Sequence, residues 1–359
     1  MPVFSSDAFD NHEQVVFCND PHTGLKAIVA VHNTNRGPAV GGCRMWNYEN
    51  EAEAVRDVLR LSRGMSYKNA MAGLNLGGGK AVIIGDSATQ KTPEMMRSFG
   101  RFINNIGGKY ITAEDVGMSV ADMEQIATQT PYVAGLSHGA AASGDPSPYT
   151  AHGTFKGVCA SVKHRLGRDE LNGLKVAVQG LGHVGYDLAR ELHEAGAELF
   201  VTDINKENVE RAVNNLNATA VELDDIYSQD VDVFAPCALG AIINDTTIPQ
   251  LKAKIIAGAA NNQLENEQHG KILMEKGILY APDYVINAGG IMNVAHEVNG
   301  EKITPEDGMK AVEVIFDTLS EIFELADEKS QPTGVIADQM ALIRINTGGD
   351  DGGSSKKVA

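Results

Sequence analysis

The sequence predicts an α/β protein with two domains, the second of them a doubly wound parallel sheet of six strands. Three observations support this fold class. The chain has 359 residues, more than one hydrophobic core usually spans, so two domains around a cleft are expected. Short apolar runs alternate with helical patterns along the chain, as in other α/β proteins. A glycine-rich turn joins a predicted strand to a predicted helix near residue 180, as in nucleotide-binding sheets.

The first predicted domain covers residues 1–135. Its strand-like runs are Ala27 to His32 and Ala81 to Ile84, and its helical patterns are Glu51 to Arg63 and Thr92 to Asn105. The alternation of these two patterns indicates a domain of the α/β class.

A proline-containing segment, Gly144 to Pro148, follows the first domain. Proline fixes φ and disfavours helix, so a linker or hinge is predicted there. A helix is predicted just beyond it, over Gly153 to Arg165, at the start of a second domain that covers residues 150–329.

The centre of the second domain is predicted to be a βαβ unit. Strand Lys175 to Gln179 leads into the glycine turn and helix Val184 to Glu194, and strand Leu199 to Thr202 and helix Lys206 to Leu216 follow. The remaining apolar runs of the parallel sheet are Val231 to Phe234, Ile255 to Ala257 and Ile278 to Ala281. Strands and helices in this order predict a six-stranded doubly wound sheet.

The C-terminal part of the chain is predicted to contain a helix, a segment that packs on the first domain, and a tail. Apolar residues at helical spacing predict one amphipathic helix over Gly308 to Ala326 that packs back across the domain boundary. Residues 330–346 are expected to pack on the first domain. Residues 347–359 are rich in Gly, Asp, Ser and Lys and are predicted to be a disordered tail.

Composition and charge exclude several functional classes. Hydrophobic residues make up 43% and charged residues 21% of the chain, a globular profile. With 47 acidic and 30 basic residues the net charge is −17, which disfavours nucleic acid and anionic membrane surfaces as partners. The four cysteines lie far apart, without a CxxC pair, so neither a zinc site nor a disulfide framework is predicted. With no export signal or membrane span in the sequence, a cytoplasmic protein is expected.

The glycine turn has the GxGxxG spacing of a dinucleotide-binding site. Its residues are Gly180, Leu181, Gly182, His183, Val184 and Gly185. The first glycine permits the tight turn, the second lets a pyrophosphate approach the backbone, and the third lets helix and strand close. A turn with a purely structural role is the alternative.

Asp203 ends the second strand of the βαβ unit, about 20 residues after the glycine turn. An acidic side chain there can accept hydrogen bonds from both ribose hydroxyls and would repel a 2′-phosphate, so NAD is favoured over NADP. Asp203 could instead only cap the helix that begins near Lys206, and Lys206 itself leaves some room for NADP.

Lys68 and Lys80 lie in glycine-rich, apolar surroundings that are unusual for surface lysines. A phosphate-binding P-loop is excluded, because Leu74 and Ala81 occupy the places of its first glycine and its Ser/Thr. The functional interpretation is that one lysine binds a carboxylate while the other, desolvated and close to a like charge, has its pKa lowered and acts as a base. Two solvated lysines are the alternative.

Two adjacent carboxylates, Glu114 and Asp115, follow a strand-like run. A loop could aim one of them into the cleft, where it would act in proton transfer. Alternatively, the pair could cap the next helix.

Eight segments of the chain resemble the glutamate, leucine, phenylalanine and valine dehydrogenase family, and its leucine-specific members most closely. They are GPAVGGCRMW (37–46), GMSYKNAMAGLNLGGGKAVIIGD (64–86), KYITAEDVG (109–117), GDPSPYTAHG (144–153), VAVQGLGHVG (176–185), DVFAPCALGAIIND (232–245), IIAGAANNQL (255–264) and YAPDYVINAGGIMNVAHE (280–297). Only the last ~20 residues depart from the family, which usually continues a helix there.

The resemblance implies catalysis by the first domain and NAD binding by the second. Lys80 would be the catalytic acid/base, Lys68 would hold the α-carboxylate of the substrate, and Asp115 would assist proton transfer. Further substrate-binding positions would be Val40, Gly41, Gly42, Met65, Ala113, Asn262, Ile291 and Val294. Further cofactor-binding positions would be Tyr186, Asn261 and Thr150, the last of these at the carboxamide. No metal is implied.

The resemblance also bears on the substrate. Glutamate-specific members carry a lysine where this chain has Val40 and a hydroxyl where it has Val294, so a γ-carboxylate would be buried without a partner. Ala113 and Ile291 should narrow the pocket, which favours leucine, isoleucine or valine. The expected reaction is reversible oxidative deamination to a 2-oxo acid, ammonia and NADH by a homo-oligomer, commonly an octamer. The alternatives are a phenylalanine- or tryptophan-type enzyme and an inactive dinucleotide-binding regulatory protein.

Overall fold

The computed structural model describes residues 3–136 and 144–348, which form two compact units. The first unit takes residues 3–136, 144, 294–303 and 341–348, and the second takes residues 145–293 and 304–340. Both are of the α/β type, so the predicted two-domain α/β fold is confirmed. Within these ranges, no helix is long and apolar enough to cross a bilayer.

The first unit contains a five-stranded sheet in the order β1-β2-β4-β3-β5. The strands are β1 (Gln14–Asp20), β2 (Leu25–Asn33), β3 (Ala39–Trp46), β4 (Gly77–Ile84) and β5 (Tyr110–Glu114). β3 runs parallel to both β4 and β5, whereas β2 is antiparallel to β1 and β4. The carboxyl ends of β3, β4 and β5 therefore lie at one edge of the sheet.

Helices cover both faces of this sheet. Helix α1 (Glu51–Met71) packs on one face through Val58 and Leu59, whereas α2 (Pro93–Asn105) and α3 (Val120–Ala127) pack on the other. α1 is eight residues longer than its predicted end at Arg63, because it continues through Gly64 to Met71. Five of its last six residues are buried (66, 67, 69, 70 and 71), so tertiary packing overrides the low helix propensity of glycine.

The second unit contains a six-stranded sheet whose paired strands are all parallel, in the order β11-β10-β9-β6-β7-β8. The strands are β6 (Lys175–Gln179), β7 (Glu198–Thr202), β8 (Thr219–Ala220), β9 (Val233–Pro236), β10 (Ile255–Ile256) and β11 (Leu279–Tyr280). This is the doubly wound order, so the predicted sheet is confirmed. β8 was not predicted, because two exposed residues carry no periodic signal.

The helices around this sheet correct two predictions. They are α4 (Ser147–Leu166), α5 (His183–Glu194), α6 (Lys206–Leu216), α7 (Glu267–Glu275), α8 (Asp283–Ile286), α10 (Pro305–Val312) and α11 (Val314–Lys329). α4 begins inside the predicted linker, because Pro148 occupies the first helical turn, where it has no hydrogen bond to lose. The single helix predicted over Gly308 to Ala326 is interrupted at Glu313, and its two parts both pack on α4 of the same unit.

The two remaining helices are α9 (Gly289–Val298) and α12 (Thr333–Thr347). Thr347 is the last residue of α12 and Gly348 is also placed, so the tail predicted from residue 347 begins two residues too early, and residues 349–359 lie outside the described ranges. In the first unit, Nη1 of Arg36 donates to the carbonyls of Arg344 at 2.9 Å and Gly348 at 3.0 Å. Arg344 in turn donates to the carbonyl of Met71 at 3.0 Å. These bonds tie residues 344–348 to the loop between β2 and β3 and to the end of α1.

Candidate active site

Lys80 lies in the middle of β4, and only 7% of its surface is exposed. Its Nζ is 2.7 Å from Oδ2 of Asp115. The two predicted catalytic residues are therefore in direct contact, and the alternative of a solvated Lys80 is wrong. This ion pair joins Lys80 to an opposite charge, whereas the sequence suggested a neighbouring like charge.

Asp115 directly follows β5 and begins a tightly held loop. The N–H of Met118 donates to the carbonyl of Asp115 at 3.0 Å, and the N–H of Met45 donates to that of Val116 at 2.9 Å. Gly117 adopts φ +80°, and a Cβ there would lie 2.2 Å from the carbonyl oxygen of Met45, so only glycine fits this close approach. Since helix α3 is capped by Ser119, the alternative that Glu114 and Asp115 cap a helix is wrong.

The pKa of Asp115 is lowered from its ordinary value. Burial alone would raise this pKa, but the positive charges of Lys80 and Arg44 outweigh the effect. Arg44 lies on β3 with its Nε 3.2 Å from Oδ2 of Asp115. The carboxylate therefore stays ionised beside Lys80.

Lys68 lies on α1, the helix that packs on the strand of Lys80. Its neighbours on α1 make this packing close. Asn69 donates through Nδ2 to the carbonyl of Gly77 at 2.7 Å, and a Cβ on Gly78 would lie 2.0 Å from the backbone nitrogen of Ser66. The glycines of β4 thus let α1 lie directly on the strand. Lys68 itself is half-buried.

Packing alone accounts for the glycine pair in β3. A Cβ on Gly41 would lie 1.9 Å from the carbonyl oxygen of Gly79, and a Cβ on Gly42 would lie 2.8 Å from Cβ of Asp115. Their presence in the sequence is therefore no independent sign of a substrate pocket. Val40, beside them, is fully buried at 0% exposure.

The remaining predicted substrate positions lie on several elements. Ala113 belongs to β5, with Gly42 as its partner in the parallel register, and Met65 lies on α1 three residues before Lys68. Ile291 and Val294 both lie on α9, one helical turn apart. All four are half-buried.

The glycine turn of the second unit connects β6 to α5, as predicted. Gly180 has φ +95° with a Cβ position 2.7 Å from Ala238, and a Cβ on Gly185 would lie 2.0 Å from the carbonyl oxygen of Gly180. Gly182, in contrast, faces open space, and as the N-cap of α5 it provides no side chain to the first turn. The N–H groups of His183 and Val184 thus lie in the first turn of a helix that has no side-chain cap, and these residues fit a pyrophosphate.

Asp203 holds the glycine turn rather than capping α6. Its Oδ2 accepts from the N–H of Leu181 at 2.5 Å and its Oδ1 from the N–H of Asn205 at 2.7 Å. Asn205 is the N-cap of α6, so the alternative of a helix cap is wrong. The guanidinium of Arg211 stacks on Tyr186 at 3.6 Å, which places a cation at the same turn.

Three other predicted residues of the site lie in loops or at helix starts. Thr150 is in the first turns of α4, where Oγ1 donates to the carbonyl of Pro146 at 3.1 Å. Asn261 is exposed and accepts through Oδ1 from Nδ2 of Asn287 at 2.7 Å. Asn262, also exposed, has φ 50°, a left-handed conformation that asparagine tolerates better than most residues.

Sequence reasoning assigned no role to Arg44, although it lies inside the quoted segment GPAVGGCRMW. One signal could have found it. Side chains alternate along a strand, so Val40, Gly42 and Arg44 share a face of β3. If Val40 and Gly42 line a site, Arg44 must therefore lie on the same face of the strand as that site.

A buried lysine in contact with an ionised carboxylate can transfer protons, and a doubly wound sheet with an open glycine turn can hold a dinucleotide. Together these features define a two-domain α/β dehydrogenase. Comparisons with known proteins agree. The model for "Glu/Leu/Phe/Val dehydrogenase, dimerisation domain" matches residues 12–132, and that for "Glutamate/Leucine/Phenylalanine/Valine dehydrogenase" matches residues 199–342.

Relatives match over nearly the whole chain. A leucine dehydrogenase of Geobacillus stearothermophilus is 57% identical, over 97% of this chain and 94% of that protein. The crystal structure of L-tryptophan dehydrogenase from Nostoc punctiforme superposes with a TM-score of 0.83 at 48% identity, covering 94% of this chain and 96% of that one. A hetero-hexameric glutamate dehydrogenase from Thermus thermophilus shares the fold, with a TM-score of 0.77 at 21% identity over 94% of this chain and 89% of that one. The chain belongs to the glutamate/leucine/phenylalanine/valine dehydrogenase family, and it is an amino-acid dehydrogenase.

Proposed function

We propose that the protein catalyses the reversible, NAD-dependent oxidative deamination of branched-chain aliphatic L-amino acids, with leucine as the best substrate and isoleucine and valine as others. The products are the 2-oxo acid, ammonia and NADH. The observation that carries the proposal is the buried Lys80 in contact with Asp115 at 2.7 Å. The 57% identity with a leucine dehydrogenase supports leucine.

The substrate is proposed to bind through Lys68 and an apolar pocket. The ammonium group of Lys68 binds the α-carboxylate as a point charge. Val40, which is fully buried, has an apolar side chain where glutamate-specific relatives carry a lysine. A γ-carboxylate would be buried there without a partner, at a cost of several kcal/mol.

The glycine turn and Asp203 are proposed to hold the cofactor. Gly182 leaves room for a pyrophosphate at the start of α5, and the carboxylate of Asp203 favours NAD because it would repel a 2′-phosphate. When bound there, NAD would supply the acceptor for the hydride of the substrate Cα–H. Thr150 and Asn261 are proposed to contact the nicotinamide side of the cofactor, and Asn262 the substrate.

The proton transfers are assigned to Lys80 and Asp115. In its deprotonated form, Lys80 takes a proton from a water molecule as that water attacks the iminium carbon of the oxidised substrate. Asp115, ionised in the resting site, takes up the hydroxyl proton of the resulting carbinolamine and returns it to the amino nitrogen while a C=O bond forms, the C–N bond breaks and ammonia leaves. The low exposure of Lys80 limits competing exchange with solvent.

A second candidate function is deamination of an aromatic amino acid. The observation that favours it is the 48% identity with the L-tryptophan dehydrogenase structure. Ala113 and Ile291 oppose it, since both should narrow the side-chain pocket.

The experiment that tests the proposal is NADH production from each of the twenty L-amino acids at alkaline pH. We expect the highest kcat/KM with leucine, lower values with isoleucine and valine, and none with glutamate. Highest activity with phenylalanine or tryptophan would favour the second candidate. NAD binding without turnover of any amino acid would instead indicate an inactive regulatory protein.

A variant tests the role of Lys80. We expect Lys80→Ala to abolish turnover of leucine and to leave the Kd for NADH, from fluorescence titration, within about twofold of the parent value, because this lysine acts in proton transfer and not in cofactor binding. A retained kcat would contradict the assignment.

A further inference from the structure

Arg44 connects the candidate catalytic pair to helix α1. Its Nε lies 3.2 Å from Oδ2 of Asp115, and its Nη1 lies 3.1 Å from Oδ2 of Asp57 on α1. The arginine side chain is 23% exposed. One guanidinium therefore bridges two carboxylates on different elements, a task that suits its planar fork of donors.

Asp57 is itself held in place by two further side chains. The hydroxyl of Tyr48 donates to its Oδ2 at 2.7 Å, and Arg60 approaches its Oδ1 at 3.4 Å. Arg44 thus has an anchored partner at one end, and it meets the candidate catalytic carboxylate at the other.

The same oxygen of Asp115, Oδ2, meets both Lys80 and Arg44. We infer that Arg44 is a positioning residue of the deamination reaction, which fixes the carboxylate of Asp115 against Lys80 and keeps a negative charge there. This inference rests on the proposed function, because it takes Asp115 to act in proton transfer.

The charges around Asp115 support this role. Lys80 and Arg44 are the two cations within ion-pair distance of it among the residues that the structure describes. Burial raises the pKa of the Tyr110 phenol and that of the Cys43 thiol, so both neighbours are neutral. The nearby Asp122 is paired with Lys91 at 2.7 Å. Removing Arg44 would therefore leave a single cation at the carboxylate.

The main test is Arg44→Gln, which removes the charge and keeps a polar side chain. We expect kcat for leucine to fall by about 10- to 100-fold, since the carboxylate would lose its fixed position. The acid limb of the pH profile of kcat should move to higher pH by about one to three units, because the loss of a neighbouring cation raises the pKa of a carboxyl group. The Kd for NADH should not change.

Two further variants separate charge from geometry and from packing. Arg60→Gln is the matched control, because Arg60 contacts Asp57 but forms no ion pair with Asp115. It should keep kcat within twofold and leave the pH profile unchanged. Arg44→Lys retains the charge and should restore the acid limb, with only partial recovery of kcat, because an ammonium group cannot bridge both carboxylates.

Circular dichroism and thermal melting establish that each variant is folded. Should Arg44→Gln fail to fold, Asp57→Asn takes its place, because it frees the other end of Arg44: kcat should fall as the carboxylate of Asp115 loses its fixed position, without a move of the acid limb to higher pH, since the charge of Arg44 is kept. A kcat and an acid limb equal to those of Arg60→Gln would overturn the inference, even if the melting temperature falls.

Different results would overturn the role of Arg44 and the proposed function. An Asp115→Asn variant that loses turnover while Arg44→Gln keeps it would overturn only the role of Arg44. A parent enzyme that turns over no amino acid would overturn the proposed function itself.

Discussion

At the scale of single residues, Asp203 is predicted to bind the cofactor and also holds the backbone of the glycine turn. Both of its oxygens accept backbone N–H groups, one from the glycine turn and one from the start of α6. Each oxygen retains a further lone pair that could accept from a ribose hydroxyl. The two roles are therefore compatible.

We predict that Asp203→Ala weakens NADH binding and relaxes discrimination against NADPH. The loss of the carboxylate loosens the turn and removes the charge that would repel a 2′-phosphate, while Arg211 remains nearby as a cation. Fluorescence titration with both cofactors measures the ratio of their Kd values. Asn205→Ala, which removes only the cap of α6, should leave that ratio unchanged, and an unchanged ratio in the aspartate variant would show that Asp203 does not select the cofactor.

A second feature at the scale of residues is the buried pair His12 and His32, which lies in the first unit next to helix α1. Burial lowers the pKa of His12, and burial together with the charge of His12 lowers that of His32 to about 4. Their rings lie 4.9 Å apart, and His32 Nδ1 contacts Ser66 Oγ at 2.8 Å. Asp10 is 3.8 Å from His32, too far to offset the burial.

This pair should make the protein sensitive to acid. Because the folded-state pKa of His32 lies below its unfolded value of about 6.5, the unfolded chain binds the proton more readily. The stabilisation is thus complete above that value and is lost as pH falls from about 6.5 to 4, at a cost on the order of 3 kcal/mol. Urea unfolding at pH 8, 6 and 4.5 should show a shallower loss for His32→Asn than for the parent. Parallel losses would assign the acid sensitivity to other groups.

The role of a residue could be predicted from the sequence only where its interaction partners are close to it in the chain or its motif is contiguous. The sequence identified Lys80, Asp115 and the glycines of the turn, because their residue types and their neighbours in the chain are typical of such sites. Arg44 and the histidine pair did not, because their partners are distant in sequence: Arg44 and Asp115 are 71 positions apart, and His32 and Ser66 are 34 apart. Only the folded sheet brings such partners together.

At the scale of elements, the close packing of α1 on β4 depends on particular glycines. Gly78 has no room for a Cβ, since the backbone of Ser66 would lie 2.0 Å away, whereas nothing lies within 4 Å of a Cβ on Gly64. Two glycines close together in the sequence therefore have opposite structural meanings.

We predict that Gly78→Ala and Gly64→Ala change stability in opposite directions. Gly78→Ala must push α1 off the strand that carries Lys80, so it should lower the free energy of unfolding by about 1–3 kcal/mol and reduce kcat for leucine. Gly64→Ala should raise that free energy by roughly 0.5–1 kcal/mol, because alanine has the higher helix propensity. Chemical denaturation and steady-state assays measure both effects. Equal stabilities for the two variants would show that α1 can shift without cost.

Helices and strands were predicted correctly where the apolar residues follow a regular spacing over a long segment. They were missed where tertiary packing determines the conformation. α6 was predicted to the residue, and the doubly wound parallel sheet followed from the βαβ pattern. The extension of α1 through Gly64 and the two-residue strand β8 leave no periodic signal. The interruption at Glu313 was missed because apolar spacing persists on both sides of it.

At the scale of the whole molecule, we propose a homo-oligomer, with an octamer as the expected form. Residues 12–132 match a family model described as a dimerisation domain. Light scattering should therefore give a mass that is a multiple of 38.2 kDa. A mass equal to that of one chain would contradict the proposal. Deleting residues 349–359 should leave the number of chains in the assembly and the activity unchanged, because their Gly-, Asp- and Ser-rich composition provides no apolar surface to bury.

The bonds between Arg36 and residues 344 and 348 have a consequence for how the protein is made. Arg36 and Arg344 are 308 positions apart, so at ~5–20 residues per second the ribosome supplies the second roughly 15 to 60 s after the first. Arg36 is only 6% exposed in the finished molecule, yet during that interval two of its acceptors do not exist. The first unit is thus begun early in translation and completed only when the last helix emerges. A nascent chain that ends before Arg344 would leave this buried guanidinium without those two carbonyls, and such truncated products should be recognised by proteases more readily than their length alone suggests.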